Sequence, residues 1–368
     1  MGEKFANALI IFIMIVIVAL GGIYYVKSVG NYNIPFGNSI AYAEEIEGKA
    51  ETANANTVEE SERPEIGGVA GSSTVYEQKK GYKHNNRHYY NNLCLEAKII
   101  YDAIADNMDN LVVENFRINI DHDFSNILSG ASGEKELKTY YDDAINAINL
   151  DIPNLFYIDF GKMYLTIETS KTLLSTSYKL YIDGNHNPNY FTNDFTTTAQ
   201  VNVAISQLES AKNQAKIGLT GSDYFKARKL HDWLIEYMEY DSSNLQKASI
   251  YGALIEKKGV CEAYARTYKY ILDDIGIENI LVTGTATNST GQTEDHMWNY
   301  IKLNDKWYAV DVTWDDPIVI GGGTLSEATK HRYFLKGSAE FFKNHTEKLT
   351  ISQSGRIFSL PTLSIGDF

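Results

Sequence analysis

Apolar residues along the chain change their spacing several times, and each spacing predicts an element. The first pattern is continuous. Phe5–Val26 carries no charged side chain, and Ala8–Val26 is almost wholly apolar. At about 1.5 Å rise per residue, such a helix approaches the roughly 30 Å of a bilayer's hydrocarbon. A membrane anchor or signal sequence is therefore expected over 6–26. Ala41-Tyr42-Ala43 before Glu44 has the small-x-small form of a cleavage site. It lies far beyond the apolar run, which favours an uncleaved anchor. Lys4 and Lys27 flank the run and nearly balance, so the expected orientation is the default one, with the large C-terminal part outside. Glu44–Ser73 is polar, acidic and rich in Ala, Gly and Ser. It reads as part of a flexible linker over 27–78.

From Tyr76 onward the pattern is globular. Helical spacing predicts helices over His88–Met108 (carrying Cys94), Glu134–Leu150, Gln200–Lys216 and Tyr224–Tyr240. Ser222 or Asp223 is positioned to cap the last of these. His231 lies within it and reads as a structural hydrogen-bonder. Alternation predicts strands around Phe116–Ile120, Met163–Ile167 and Tyr178–Ile182, the last two forming a hairpin around Thr169–Ser175. An α+β accessory domain is thus expected over 79–218, followed by a second domain over 219–368.

Composition narrows the function. The 368 residues include 33 Lys+Arg against 47 Asp+Glu, a net charge of -14. No basic patch stands out, which argues against nucleic acid as a partner. Two cysteines, Cys94 and Cys261, exclude a disulfide scaffold and a Cys-rich zinc module. With one cysteine near the other candidate residues and scattered histidines, no metal and no cofactor are expected.

The chemistry concentrates between Val260 and Pro317. Cys261 opens a helical pattern in which Ala265, Tyr268 and Leu272 share a face and Gly276 supplies the stop. Gly259 lets the chain turn into this helix. A thiol at a helix N-terminus faces unsatisfied N–H groups and the positive end of the macrodipole, which favour the nucleophilic thiolate. Residues 296–303 and 306–313 alternate around a two-residue turn at Asn304-Asp305. If Leu303 faces Lys306, then His296 faces Thr313 and Asp311 faces Trp298. His296, Trp298, Asp311 and Thr313 then emerge on one face, with His296 and Asp311 as diagonal neighbours. The arrangement predicts a nucleophile–base–orienter set of Cys261, His296 and Asp311. Asp315 and Asp316, ahead of Pro317, read as turn formers and rival orienters. Trp298 and Trp314 read as core or site-wall aromatics. Tyr251 is a weaker candidate to donate to an oxyanion, beside the backbone N–H of Cys261.

At these residues the chain resembles the transglutaminase-like superfamily of papain-related cysteine enzymes, in its bacterial branch. The motifs are Gly259-Val260-Cys261-Glu262-Ala263-Tyr264-Ala265, His296-Met297-Trp298-Asn299 and Val310-Asp311-Val312-Thr313-Trp314, followed by Asp315-Asp316-Pro317 and His331-Arg332-Tyr333-Phe334-Leu335. The resemblance covers about 225–345. Asp151–Phe156 and the Asp241 neighbourhood look like the accessory portion that precedes this domain. Ala263 stands where many members have glycine. The resemblance implies an α+β, papain-like core, a Cys-bearing helix on an antiparallel sheet, with the same three residues as nucleophile, general base and orienter.

The function expected is cysteine acyl transfer on peptide or glutamine-type amides through a thioester. Water as acceptor gives a protease or amidase, and an amine gives a transglutaminase. The alternative is a catalytically silent surface binding module. Anchor and linker together point to the cell surface, or secretion if the segment is cleaved, with a protein or cell-wall peptide as substrate.

Overall fold

The computed structural model describes residues 23–28, 75–76, 87–113, 116–171, 174–183, 190–192, 194–316, 326–348 and 357–368. The strands are β1 (Ile23–Ser28), β2 (Val75–Tyr76), β3 (Arg117–Ile120), β4 (Tyr164–Lys171), β5 (Thr176–Asp183), β6 (Glu239–Tyr240), β7 (Lys258–Gly259), β8 (Asn279–Thr287), β9 (Thr293–Leu303), β10 (Lys306–Val310) and β11 (His345–Glu347). The α-helices are α1 (His88–Asn91), α2 (Leu95–Ala105), α3 (Ser125–Leu128), α4 (Gly133–Asp151), α5 (Thr198–Ala215), α6 (Asp223–Tyr237), α7 (Cys261–Asp274), α8 (Glu327–Lys330) and α9 (Ser338–Phe341). The class is α+β, as the periodicities predict.

Two larger sheets and the two-stranded pair β6-β7 organise the described residues. One has the order β1-β4-β5-β3-β2 and contains the expected hairpin, with Lys171 opposite Thr176. The other has the order β10-β9-β8-β11 and is antiparallel throughout. Its β9–β10 register is the expected one, Leu303 opposite Lys306 through Val310 opposite Asn299. Asn304 and Asp305 both take left-handed φ, 49° and 59°, as a two-residue hairpin turn with the right twist requires.

Helix α7 lies between two hydrophobic clusters. Ala265 belongs to the one built from α1–α5 and the first sheet, and Tyr264, Tyr268 and Ile271 to the one shared with α6 and β10. It is buried from Cys261 through Leu272, the mark of a central helix rather than a surface one. Its buried charges are paired. Arg266 meets Glu262 at 2.7 Å and donates to the Asn149 carbonyl of α4 at 2.5 Å. The stop expected at Gly276 is present. Gly276 takes φ +78°, its N–H reaches the Asp273 carbonyl, and Ile277 N–H reaches the Leu272 carbonyl, a Schellman ending.

Several boundaries differ from the sequence pattern. The expected helix over 88–108 is broken between α1 and α2. Asp151, at the end of α4, accepts the N–H groups of Tyr89 and Tyr90, and the chain leaves α1 to restart with Cys94 as an extended N-cap. Helix α6 stops at Tyr237, because Met238 is extended and Glu239–Tyr240 pairs with β7. Ser222, not Asp223, caps it. Thr197 and Gln200 form a capping box on α5 that begins it before Gln200. The expected membrane span over 6–26 requires correction at its end: Ile23–Val26 belong to β1, whose backbone pairs with β4. The rest of that span, the linker apart from β1 and β2, and the glycines at 321–323 lie outside the described residues. Among the described residues no helix is long and apolar enough to cross a membrane.

Candidate active site

Cys261 is the first residue of α7, held there by close packing around Gly259. The parallel pairing of β6 with β7 brings the end of α6 beside the start of α7, and the Val260 N–H donates to the Lys247 carbonyl at 2.8 Å. Gly259 has no left-handed φ. A Cβ there would stand 2.4 Å from the Ala263 Cβ and 2.8 Å from the Lys247 oxygen, so close approach, not a tight turn, demands the glycine. The cap residue Val260 offers no side-chain acceptor. The N–H groups of Cys261 and Glu262 at the head of the helix therefore stay available to an anion.

His296 and Asp311 meet as the register predicts. His296 Nε2 lies 2.8 Å from Asp311 Oδ2. The Cys261 thiol is near enough to the same imidazole to raise its pKa. Nε2 faces Asp311, which leaves Nδ1 toward the sulfur. The three residues are 4%, 5% and 0% exposed in chain order. The pairing of His296 with Thr313 does not form. Strand β10 ends at Val310, and Asp311 starts a turn in which Asp315 N–H reaches the Asp311 carbonyl and Trp314 N–H reaches Asp311 Oδ1. That ending matters for access. Met297, Asn299 and Ile301 face α7, and Asn299 donates to the Ala265 carbonyl. His296 alternates to the opposite face of β9, where β10 has already ended at Val310.

Burial opposes charge on both partners of this pair and is overridden. For His296, desolvation favours the neutral ring, but the Asp311 carboxylate and then the Cys261 thiol raise its pKa well above the usual value. For Asp311, desolvation works upward, but the imidazoles of His296 and His345 hold it well below the ordinary carboxylate range.

His345 had no signal in the sequence motifs. It comes from β11, two strands from β9 across β8. Its Nε2 lies 3.1 Å from Asp311 Oδ2, its Nδ1 2.8 Å from Asn344 Oδ1, and its ring stacks on Phe341 at 4.0 Å between centroids. Only the pairing of β11 with β8, which places His345 opposite Ala286, brings it to the site.

Trp298 and Trp314 are the expected wall. Their rings lie 6.1 and 5.5 Å from that of His296. Tyr251 requires correction: its hydroxyl donates to Gln207 on α5, and its ring contacts Phe156 and Phe195. It serves an aromatic seam rather than an oxyanion. Asp315 lies in a turn, as expected. It is wholly buried, accepts from Tyr333 N–H at 2.8 Å, and meets His231 Nε2 at 3.1 Å. Burial pushes its carboxyl up to about 6 against the pull of His231. Asp316 accepts from the Tyr264 hydroxyl at 2.6 Å. A cleft of about 320 Å³ lined by residues including Met108, Phe156 and Tyr270 shares no residue with the Cys261 site.

Among the described residues, two groups of side chains bring potential metal-ligating atoms within 4.8 Å of one another, His296 with Asp311 and His345, and His231 with Asp232 and His331. The first is the acid–base pair itself.

Residues 211–312 match the family model described as the transglutaminase-like superfamily, so the chain carries a transglutaminase-like domain. Kyphoscoliosis peptidase from Mus musculus is 28% identical over 139 residues, 34% of this chain and 21% of that protein. The Homo sapiens counterpart is 26% identical over 143 residues, with the same shares. The match therefore spans 21% of the length of these curated relatives. A crystal structure of a TGase shares 14% identity over 60% of this chain and 56% of its own, with a TM-score of 0.29.

Proposed function

We propose that the protein is a cysteine acyl-transfer enzyme with Cys261 as nucleophile, His296 as general base and Asp311 as orienter. The supporting observation is the buried His296 Nε2–Asp311 Oδ2 contact at 2.8 Å, with the buried Cys261 thiol near enough to raise the His296 pKa. Asp311 accepts from Nε2–H and so keeps Nδ1 as the atom that takes the thiol proton. The thiolate adds to an amide carbonyl, and the oxyanion faces the backbone N–H of Cys261. The C–N bond then breaks, the leaving amine takes the proton from Nδ1, and a thioester remains on Sγ. Water resolves it to a carboxylate, or a primary amine resolves it to a new amide. In both cases the attacking group loses a proton to His296, which returns it to the thiol.

The substrate is a protein or cell-wall peptide presented outside the cell. Support for this comes from the uncharged N-terminal run and the acidic linker in the sequence.

The test uses the full chain and Cys261→Ser, assayed for peptide hydrolysis, for ammonia release from glutamine-type amides and for amine incorporation. The reading requires at least one activity in the wild type and its loss in the variant. A silent binding module shows none of these and retains its cellular role with serine at 261.

A further inference from the structure

We propose that His231, Asp232 and His331 form a binding site for one divalent transition-metal ion of the zinc class. The two histidines come from α6 and from the residue after α8, and the fold stacks their rings 5.5 Å apart at 29°. Asp232 Oδ1 lies 3.1 Å from His231 Nδ1 and 2.6 Å from His331 Nε2.

The protons of the two rings carry the argument. His331 Nδ1 lies 2.8 Å from the Glu327 carbonyl, an acceptor only, so Nδ1 bears the hydrogen. A neutral His331 then turns its Nε2 lone pair toward Asp232. On the other ring, His231 Nε2 faces the Asp315 carboxylate, so a neutral His231 turns its Nδ1 lone pair toward the same Asp232 oxygen. Each ring therefore has an acceptor at both nitrogens. Without an ion, hydrogen-bonding every contact requires two imidazolium rings stacked on each other beside a single carboxylate oxygen. One of them is fully buried and lies 4.9 Å from the Phe334 ring. One M²⁺ in place of those two protons leaves the net charge unchanged and turns both lone pairs into ligands.

The surroundings match what such an ion needs. A ligating histidine is normally fixed by a carboxylate or backbone carbonyl on its far nitrogen, and Asp315 and the Glu327 carbonyl supply one of each. Tetrahedral zinc with bonds near 2.0–2.1 Å separates its ligands by about 3.3 Å. The His231–Asp232 separation of 3.1 Å is close to this, and His331 must retreat by roughly 0.7 Å. His331 lies on a partly exposed connection, and the Asp232 side chain is 33% exposed, so a fourth position opens to water. Arg228 competes as a cation, with Nε 3.9 Å from Asp232 Oδ2. The ion would tie α6 to His331 after α8, with Asp315 holding the far nitrogen of His231.

The His296–Asp311–His345 group and the Cys261 thiol are the competitors to exclude, and Co²⁺ with the variants below separates them. Purified full-length chain, stripped with chelator, is titrated with Co²⁺ and then Zn²⁺ near neutral pH. The proposal requires one equivalent of Co²⁺ with visible d–d bands, no thiolate charge-transfer band, and displacement by Zn²⁺. Cys261→Ala must leave this unchanged. His331→Gln and Asp232→Asn must weaken it by at least tenfold while their far-ultraviolet circular dichroism stays that of wild type. Zn²⁺ must raise the thermal midpoint of wild type and not of His331→Gln. Binding that disappears in Cys261→Ala, binding that survives His331→Gln, or no stoichiometric binding each overturns the proposal.

Discussion

His345 Nε2 stands 3.1 Å from Asp311 Oδ2, the same oxygen that receives His296 at 2.8 Å. One carboxylate thus serves two imidazoles, and the second draws negative charge away from the first. Replacing His345 by Phe keeps the stack on Phe341 and removes the donor. Asp311 then holds the His296 imidazolium more strongly. The alkaline limb of the activity–pH profile is expected to move to higher pH, with kcat falling less than about tenfold. A purely structural His345 would lower the thermal midpoint and leave that limb in place.

Asp311→Asn removes the charge that orients His296. In nucleophile–base–orienter sets the corresponding change lowers kcat by roughly 10⁴ through the wrong tautomer, and a loss of that order is expected here. Stability should change as well, in a pH-dependent way. Asp311 is depressed in the fold, so its contribution is present above its unfolded value near 3.9 and is lost as pH falls through its folded value. His296 is raised, so its contribution is complete below about 6.5 and is lost as pH rises through its folded value. The two describe one shared coupling. The stability difference between wild type and Asp311→Asn, followed by urea midpoints, should be greatest in mildly acidic solution and shrink in both directions.

Gly284 lies on β8 opposite His296. A Cβ there would meet the Thr346 carbonyl oxygen at 2.0 Å and Trp298 Cη2 at 2.5 Å. Gly284→Ala is expected to cost about 1–3 kcal/mol or more, the range for overpacking. Gly366→Ala, with nothing within 4 Å, should stay within about 0.5 kcal/mol. Equal urea midpoints for the two variants would contradict this packing.

Arg266→Ala leaves Glu262 buried without its partner, both side chains being 8% exposed in the pair, and cuts the link from α7 to α4. Destabilisation of about 3–5 kcal/mol is expected. The double change Arg266→Met with Glu262→Leu should recover most of it, because the cost comes from the orphaned charge. A double variant no more stable than the single one would assign the loss to packing instead.

The sequence carried the β9–β10 hairpin almost completely. Alternation and the Asn304-Asp305 turn are local signals, so His296 and Asp311 could be placed together without any long-range contact. The end of β10 at Val310 was not legible, since the turn after Asp311 is stabilised by contacts with Trp314, Tyr333 and Asp315. His345, and the burial of Asp315 against His231, were not legible for the same reason. Their roles arise from β11 pairing with β8 and from α6 packing against the loop after Asp311, and no spacing rule spans those distances. His231 and His331 lie far apart in sequence, and so the absence of ligand spacing said nothing about their meeting. Helix α7 read as one-sided because Glu262, Arg266 and Lys269 are charged, yet each is buried with a partner.

The central claim is that Cys261 and His296 act as one nucleophile–base pair. Its most direct test is the alkylation rate of Cys261 against pH in full-length Cys94→Ala protein, compared with the same protein carrying His296→Ala. A free thiol titrates near 8.5. The account requires alkylation of Cys261 to persist below neutral pH and that reactivity to vanish without His296. A thiol that is inert, or that titrates as a free cysteine with or without His296, contradicts it.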